Sequence, residues 1–145
     1  SKDDGINATT TTGTAIQING GTNYIYCTGD GLDSNSRTSY QGIIFNGGYT
    51  VVISNSNGNS AIDTEQGYSY QGGYVAAMMP GSGGFGGIGG MASETTKCQN
   101  FSSVATKTTI TLTTNTYITI TVDSKEIVTV KSPINTSSVL TASVV

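Results

Sequence analysis

Large apolar side chains alternate with other residues immediately before a pair of glycines at three places along the chain. The segments are Ile16-Gln17-Ile18-Asn19-Gly20-Gly21, Ile43-Ile44-Phe45-Asn46-Gly47-Gly48 and Tyr68-Ser69-Tyr70-Gln71-Gly72-Gly73. Alternation of this kind is the period of a strand with one face turned inward, and the glycine pairs lie 27 and 25 residues apart. After each pair a second strand is predicted, over Thr22 to Cys27, Tyr49 to Ile53 and Tyr74 to Met78. A second motif recurs almost in step: Asp4-Gly5-Ile6-Asn7, Asp30-Gly31-Leu32-Asp33 and the weaker Ser60-Ala61-Ile62-Asp63. Two features that recur together predict the rungs of a parallel β-solenoid, with equivalent positions stacked about 4.7–4.9 Å apart. In such a stack Asn19, Asn46 and Gln71 form an amide ladder, and the glycine pairs permit corner geometry that β-branched residues cannot adopt. An antiparallel sandwich with ordinary Asn-Gly-Gly hairpins is the competing reading.

The texture then changes twice. Pro80 to Met91, PGSGGFGGIGGM, lacks the Gly-x-x-x-x-Gly-Lys-Ser/Thr pattern of a phosphate loop and reads as a loop closing the last repeat. From Thr106 onward, apolar residues and threonines alternate through TYITITV and EIVTV, predicting three or four strands of a terminal meander or sheet extension. The expected organisation is therefore an all-β chain, with repeats over residues 1–100 and a C-terminal strand cap over 101–145.

Composition narrows the function. With 24 Thr and 17 Ser among 145 residues the chain is biased to strands, and a net charge of −3 is too small for a charge-disordered chain. Histidine is absent, which removes the commonest general base, the Ser-His and Cys-His pairs and His-containing zinc sites. Six Lys and Arg against nine Asp and Glu leave no basic stripe for nucleic acid. No run approaches the ~18 apolar residues of a membrane-spanning helix, so membrane insertion is not expected, and a chain starting at Ser1 reads as a mature or trimmed product. Cys27 and Cys98 allow either one bridge or two buried thiols.

Five of the six aspartates, Asp3, Asp4, Asp30, Asp33 and Asp63, lie in or beside the three echoing turns. A single Asp-Gly is ordinary turn chemistry. Two or three in register would bring the oxygens of Asp4, Asn7, Asp30, Asp33 and Asn35 into one small region, where the carboxylates repel unless a hard cation neutralises them. Ca²⁺ accepts six to eight such oxygens, whereas the flanking helices and the twelfth-position Glu of an EF-hand are missing. Tyr49 and Tyr74 occupy the same position after their glycine pairs and are candidate sugar platforms.

The run Gly29-Asp30-Gly31-Leu32-Asp33-Ser34-Asn35, the Asn-Gly-Gly corner, Ser60-Ala61-Ile62-Asp63 and the Gln-Gly-Gly corner together resemble a family of bacterial secreted β-helix proteins. That family comprises calcium-binding, carbohydrate-binding domains recognising cellulose and acidic plant polysaccharide. Ser1 to Ala8 resembles the preceding coil of the same pattern. The resemblance implies a right-handed parallel β-helix, Ca²⁺ at the acidic turns, only Asp63 carried over as a ligand in the third turn, and an extracellular or cell-surface binding role. The acidic turn also resembles that of calcium-dependent pectate lyases, whose base is a Lys or Arg; between Lys2 and Lys97 the one cation is Arg37, expected instead to bind a substrate carboxylate. The function expected is thus non-catalytic binding of a uronate-containing polysaccharide or cellulose. The alternative is a self-assembling fibre or surface-layer subunit, a homopolymer built through exposed strand edges.

Overall fold

The fold was analysed in a computed structural model. It describes residues 1–35, 42–55, 59–64, 67–79, 105–108, 113–122, 124–131 and 138–143. All regular structure among these residues is β. The first nine strands fall into three sets: β1 (Ile6–Ala8), β2 (Ile16–Ile18) and β3 (Thr22–Cys27); β4 (Leu32–Ser34), β5 (Ile43–Phe45) and β6 (Tyr49–Ser54); β7 (Ile62–Thr64), β8 (Tyr68–Tyr70) and β9 (Tyr74–Met79).

Each strand pairs in parallel with its counterpart in the next set. Ile6 lies against Leu32 and Leu32 against Ile62; Ile16 against Ile43 and Ile43 against Tyr68; Thr22 against Tyr49 and Tyr49 against Tyr74. Parallel pairing between residues a full repeat apart excludes the hairpin reading of the glycine corners. Three three-stranded parallel arrays result, and none closes into a barrel.

The inward column residues make the core: Ile16, Ile18, Leu32, Ile43, Phe45, Val52, Ile62, Tyr68 and Ala77, with Phe45 and Tyr68 meeting edge to face at 6.3 Å. Burial deepens from the first set to the second, since Ile6 is 41 % exposed while its neighbour Leu32 is fully buried. The amide ladder forms in part. Asn46 Nδ2 donates to Asn19 Oδ1 at 2.7 Å, but Gln71 turns its amide to Ser69 Oγ, because its longer side chain reaches back to its own strand.

The C-terminal strands divide between the two expected forms, an antiparallel hairpin and an extension of the repeat sheet. Among the described residues β11 (Tyr117–Val122) and β12 (Lys125–Lys131) form an isolated antiparallel pair, whereas β13 (Ser138–Ser143) adds antiparallel to β9 and β10 (Ala105–Thr108) adds to β13. The sheet order β10-β13-β9-β6-β3 therefore joins strands of the C-terminal segment to strands of the repeats. Pro80 to Met91 and Cys98 lie outside the described residues; Cys27 is a buried free thiol against the carbonyl oxygens of Gly29 and Asp30.

The second glycine of each corner has a left-handed backbone, with φ of 82° at Gly21, 81° at Gly48 and 86° at Gly73. At Gly48 a Cβ would also overlap the Gly21 carbonyl oxygen of the preceding repeat, while at Gly20 it would meet nothing within 4 Å. Gly48→Ala is expected to destabilise by at least ~1–2 kcal/mol from the left-handed conformation alone, and Gly20→Ala to stay within ~0.5 kcal/mol of the parent. Urea unfolding of both variants measures the difference; equal effects would contradict the stacking role of the corner.

Candidate metal centre

The turns before β1, β4 and β7 stack by backbone hydrogen bonds, Gly5 N to Asp30 O at 2.8 Å and Gly31 N to Ser60 O at 2.9 Å. The aspartate side chains extend this ladder. Asp4 Oδ1 accepts from the backbone N–H of Asp30 at 2.9 Å, and Asp30 Oδ1 accepts from that of Ser60 at 2.5 Å. Each carboxylate thus satisfies a turn amide one repeat onward, and the series ends at Ser60, which carries no carboxylate. This use of the Asp of Asp-Gly was not read from the sequence. The recurrence of Asp two positions before the inward residue is the signal that carries it.

A second column runs through Asn7, Asp33 and Asp63, which are in register on β1, β4 and β7. Asn7 Nδ2 donates to Asp4 Oδ2 at 2.9 Å and to Asp33 Oδ2 at 2.5 Å, and Asn35 Nδ2 donates to the same Asp33 oxygen at 2.8 Å. One carboxylate oxygen from each of Asp4, Asp30 and Asp33 lies within 4.8 Å of the others. Five of the six expected metal-site residues, Asp4, Asn7, Asp30, Asp33 and Asn35, therefore meet at one corner. Asp63 stacks on Asp33 in the ladder but stands outside the three-carboxylate group.

The electrostatics are those of crowded anions. Burial pushes the Asp33 carboxyl above the ordinary aspartate range; the Asn35 amide pulls it back, and the charges of Asp4 and Asp30 push it further up. Asp30 is raised for the same first reason, opposed by its hydrogen bond from Ser60 and reinforced by Asp4. Every donor is oxygen. Cys27 is the nearby sulfur, and burial raises its thiol, which disfavours a thiolate ligand. An all-oxygen group with three negative charges suits a hard divalent cation, Ca²⁺ before zinc or copper.

The sugar-site residues lie on other elements. Tyr49 and Tyr74 begin β6 and β9 and stack with centroids 5.4 Å apart and planes 3° from parallel, as their shared column predicts. Each ring covers one face of the other, so at most one face of each remains for a sugar. Arg37 lies outside the described residues.

The raised carboxyls give a signed pH dependence. The folded state holds protons on Asp30 and Asp33 more tightly than the unfolded chain, so their penalty is present at neutral pH and is relieved as pH falls towards the ordinary aspartate value. Below that value both states are protonated and the gain stops. In chelator, the melting temperature of the parent is expected to approach that of the Asp30→Asn/Asp33→Asn variant as pH falls, because Asn keeps the acceptor oxygens without the charge. Scanning calorimetry at stepped pH checks this; a parent-minus-variant difference that is flat or grows more negative in acid would contradict it.

Comparison with family models, with curated proteins and with solved structures gives no match to this chain.

Proposed function

We propose that the chain is a non-catalytic, calcium-stabilised polysaccharide-binding module acting outside the cell, its three repeats forming coils of a right-handed parallel β-helix. The observation that carries the reading is the carboxylate group of half-buried Asp4 and Asp30 and buried Asp33, whose oxygens converge within 4.8 Å. Parallel register between the three repeats supports the helix, and right-handed crossovers are the rule for parallel strands in one sheet.

Calcium at this corner supplies two things. It neutralises anions that the backbone ladder forces together, and a cation with open coordination positions can bridge to the carboxylate of a uronate unit. Asp4, Asp30 and Asp33 would hold the ion, and Asn7 and Asn35 already lie on those carboxylates with amides that can offer oxygen instead of N–H. Binding through a bridged carboxylate needs no general base, consistent with a chain that has no histidine. The stacked Tyr49 and Tyr74 supply an apolar strip on a neighbouring sheet rather than two open platforms.

Calcium titration of chelator-stripped protein is the test, with a melting curve at each calcium level. At a free concentration about a hundredfold above Kd, linkage adds ~2.7 kcal/mol, or roughly 5–10 °C for a domain of this size. The gain should vanish in Asp30→Asn/Asp33→Asn. Retention on polygalacturonate should require calcium in the parent and fail in the same variant. No calorimetric heat and no thermal shift would overturn the metal site; calcium binding without retention of acidic or neutral polysaccharide would overturn the ligand.

A further inference from the structure

The amides at the glycine corners are not equivalent. Asn19, Asn46 and Gln71 occupy the same place in the three repeats, and each of the first two stands directly before a glycine, as Asn19-Gly20 and Asn46-Gly47. A third Asn-Gly step, at residues 57–58, lies outside the described residues. Such a step carries chemistry of its own. The glycine nitrogen can attack the asparagine side-chain carbonyl carbon and close a five-membered imide, because glycine has no Cβ to hinder the approach or restrict the turn. Gln71 is unsuited to that course, since its longer side chain would close a six-membered ring and its amide is bonded to Ser69 Oγ.

Hydrogen-bond direction separates the two asparagines. Asn46 Nδ2 donates to Asn19 Oδ1 at 2.7 Å. Attack on Asn19 Cγ turns Oδ1 into an oxyanion, and a donor already aimed at that oxygen stabilises the charge as it develops. Asn46 has no equivalent. Its Oδ1 accepts from no donor among the described residues, because Gln71 in the next repeat turns its amide away. Both asparagines are exposed, so water reaches either one and exposure does not tell them apart.

We propose that Asn19 is a self-modification site, converted to aspartate through an imide closed by Gly20, with the Asn46 amide as the oxyanion donor. In the first step the Gly20 nitrogen bonds Asn19 Cγ, the Cγ–Nδ2 bond breaks, and Nδ2 leaves as ammonia with the proton from the Gly20 N–H. Water then adds across one of the two imide C–N bonds. Opening at Cγ restores the main chain and leaves an aspartate; opening at the Asn19 main-chain carbonyl leaves isoaspartate, with one extra carbon in the backbone before the corner. The stack accommodates the first product better. A carboxylate at position 19 keeps the bond from Asn46 in charge-assisted form, whereas a lengthened backbone displaces Gly21 O, which accepts from Tyr49 N at 2.8 Å. Either product adds one negative charge, taking the formal net charge from −3 to −4.

Timed incubation of the full chain at mildly alkaline pH, folded and in urea, followed by tryptic peptide mapping with fragment-ion assignment, tests the proposal. Cleavage after Lys2 and Arg37 yields a peptide in which Asn19-Gly20 is the one Asn-Gly step. In the folded parent, position 19 should deamidate about tenfold faster than position 46, less than the ~10²–10³ of an enclosed oxyanion donor because this corner is exposed. The two rates should converge in urea, where the ladder is gone. Asn46→Ala should slow position 19 about tenfold, and Asn46→Asp serves if circular dichroism shows the alanine variant unfolded. Gly20→Ala, whose Cβ meets nothing within 4 Å, should suppress reaction at position 19 and leave position 46 unchanged. A merely structural role for the Asn46 amide predicts the opposite sign, since a loosened corner would react faster. Equal rates at the two positions in the folded chain, or an unchanged or raised rate at position 19 in the Asn46 variants, would overturn the proposal.

Discussion

Hydrogen bonds between equivalent strands of successive repeats impose the constraint from which the rest follows. They hold neighbouring backbones about 4.8 Å apart, so each position stands directly over its counterpart and a column can hold only residues that tolerate copies of themselves. Mixed apolar columns fill the interior, among them Ile16, Ile43 and Tyr68. Tyrosines stack as parallel rings, and asparagines link amide to amide. Where one carbonyl falls on the next residue's Cβ position, as above Gly5 and Gly48, glycine is required by contact and not only by turn type.

Aspartate is the column residue that least tolerates a copy, yet Asp4 and Asp30 occupy equivalent turns with Asp33 beside them. The ladder explains why they persist. Each gives an oxygen to a turn amide in the next repeat, and charge-assisted bonds of this kind are about twice as strong as neutral ones. The amides of Asn7 and Asn35 offset part of the remaining repulsion. Burial first, and then the repulsion they leave, raises the carboxyls of Asp30 and Asp33, and a cation at the corner would relieve both costs. The structural and metal readings of the corner are two consequences of one crowding.

The parts legible in the sequence are those governed by the column rule. Residues 19–21, 46–48 and 71–73 each span the gap between two strands at constant length, so the motif could be read there and the strands after it placed almost to the residue. The segments leading from β4 to β5 and from β6 to β7 vary in length against their counterparts, which is why the Asp-Gly period drifts against the glycine period. Five of the six metal-site residues converged because register alone brings them together. Asp63 did not join the carboxylate group, since register fixes its height in the stack but not where its side chain goes. The pairing of β13 with β9 had no local signal at all: antiparallel addition between residues some sixty apart depends on a free edge, and alternation in Ser138–Ser143 does not say which edge.

A column of equivalent turns can be extended only where the next carbonyl meets no Cβ. At the third repeat this stack is closed in two places, by the Ala61 methyl at the turn and by β13 along β9. A methyl group at one corner is small against the whole fold, but a carbonyl cannot overlap it, and steric exclusion in close-packed interiors has no partial form. Burial is deepest in the second and third repeats, where Leu32, Ile43, Val52 and Ile62 are fully buried, while Ile6 and Tyr24 of the first repeat keep much of their surface exposed. The column rule that draws the aspartates together thus also limits the column of turns, since the third turn keeps its register without the glycine that a further stacked carbonyl would need.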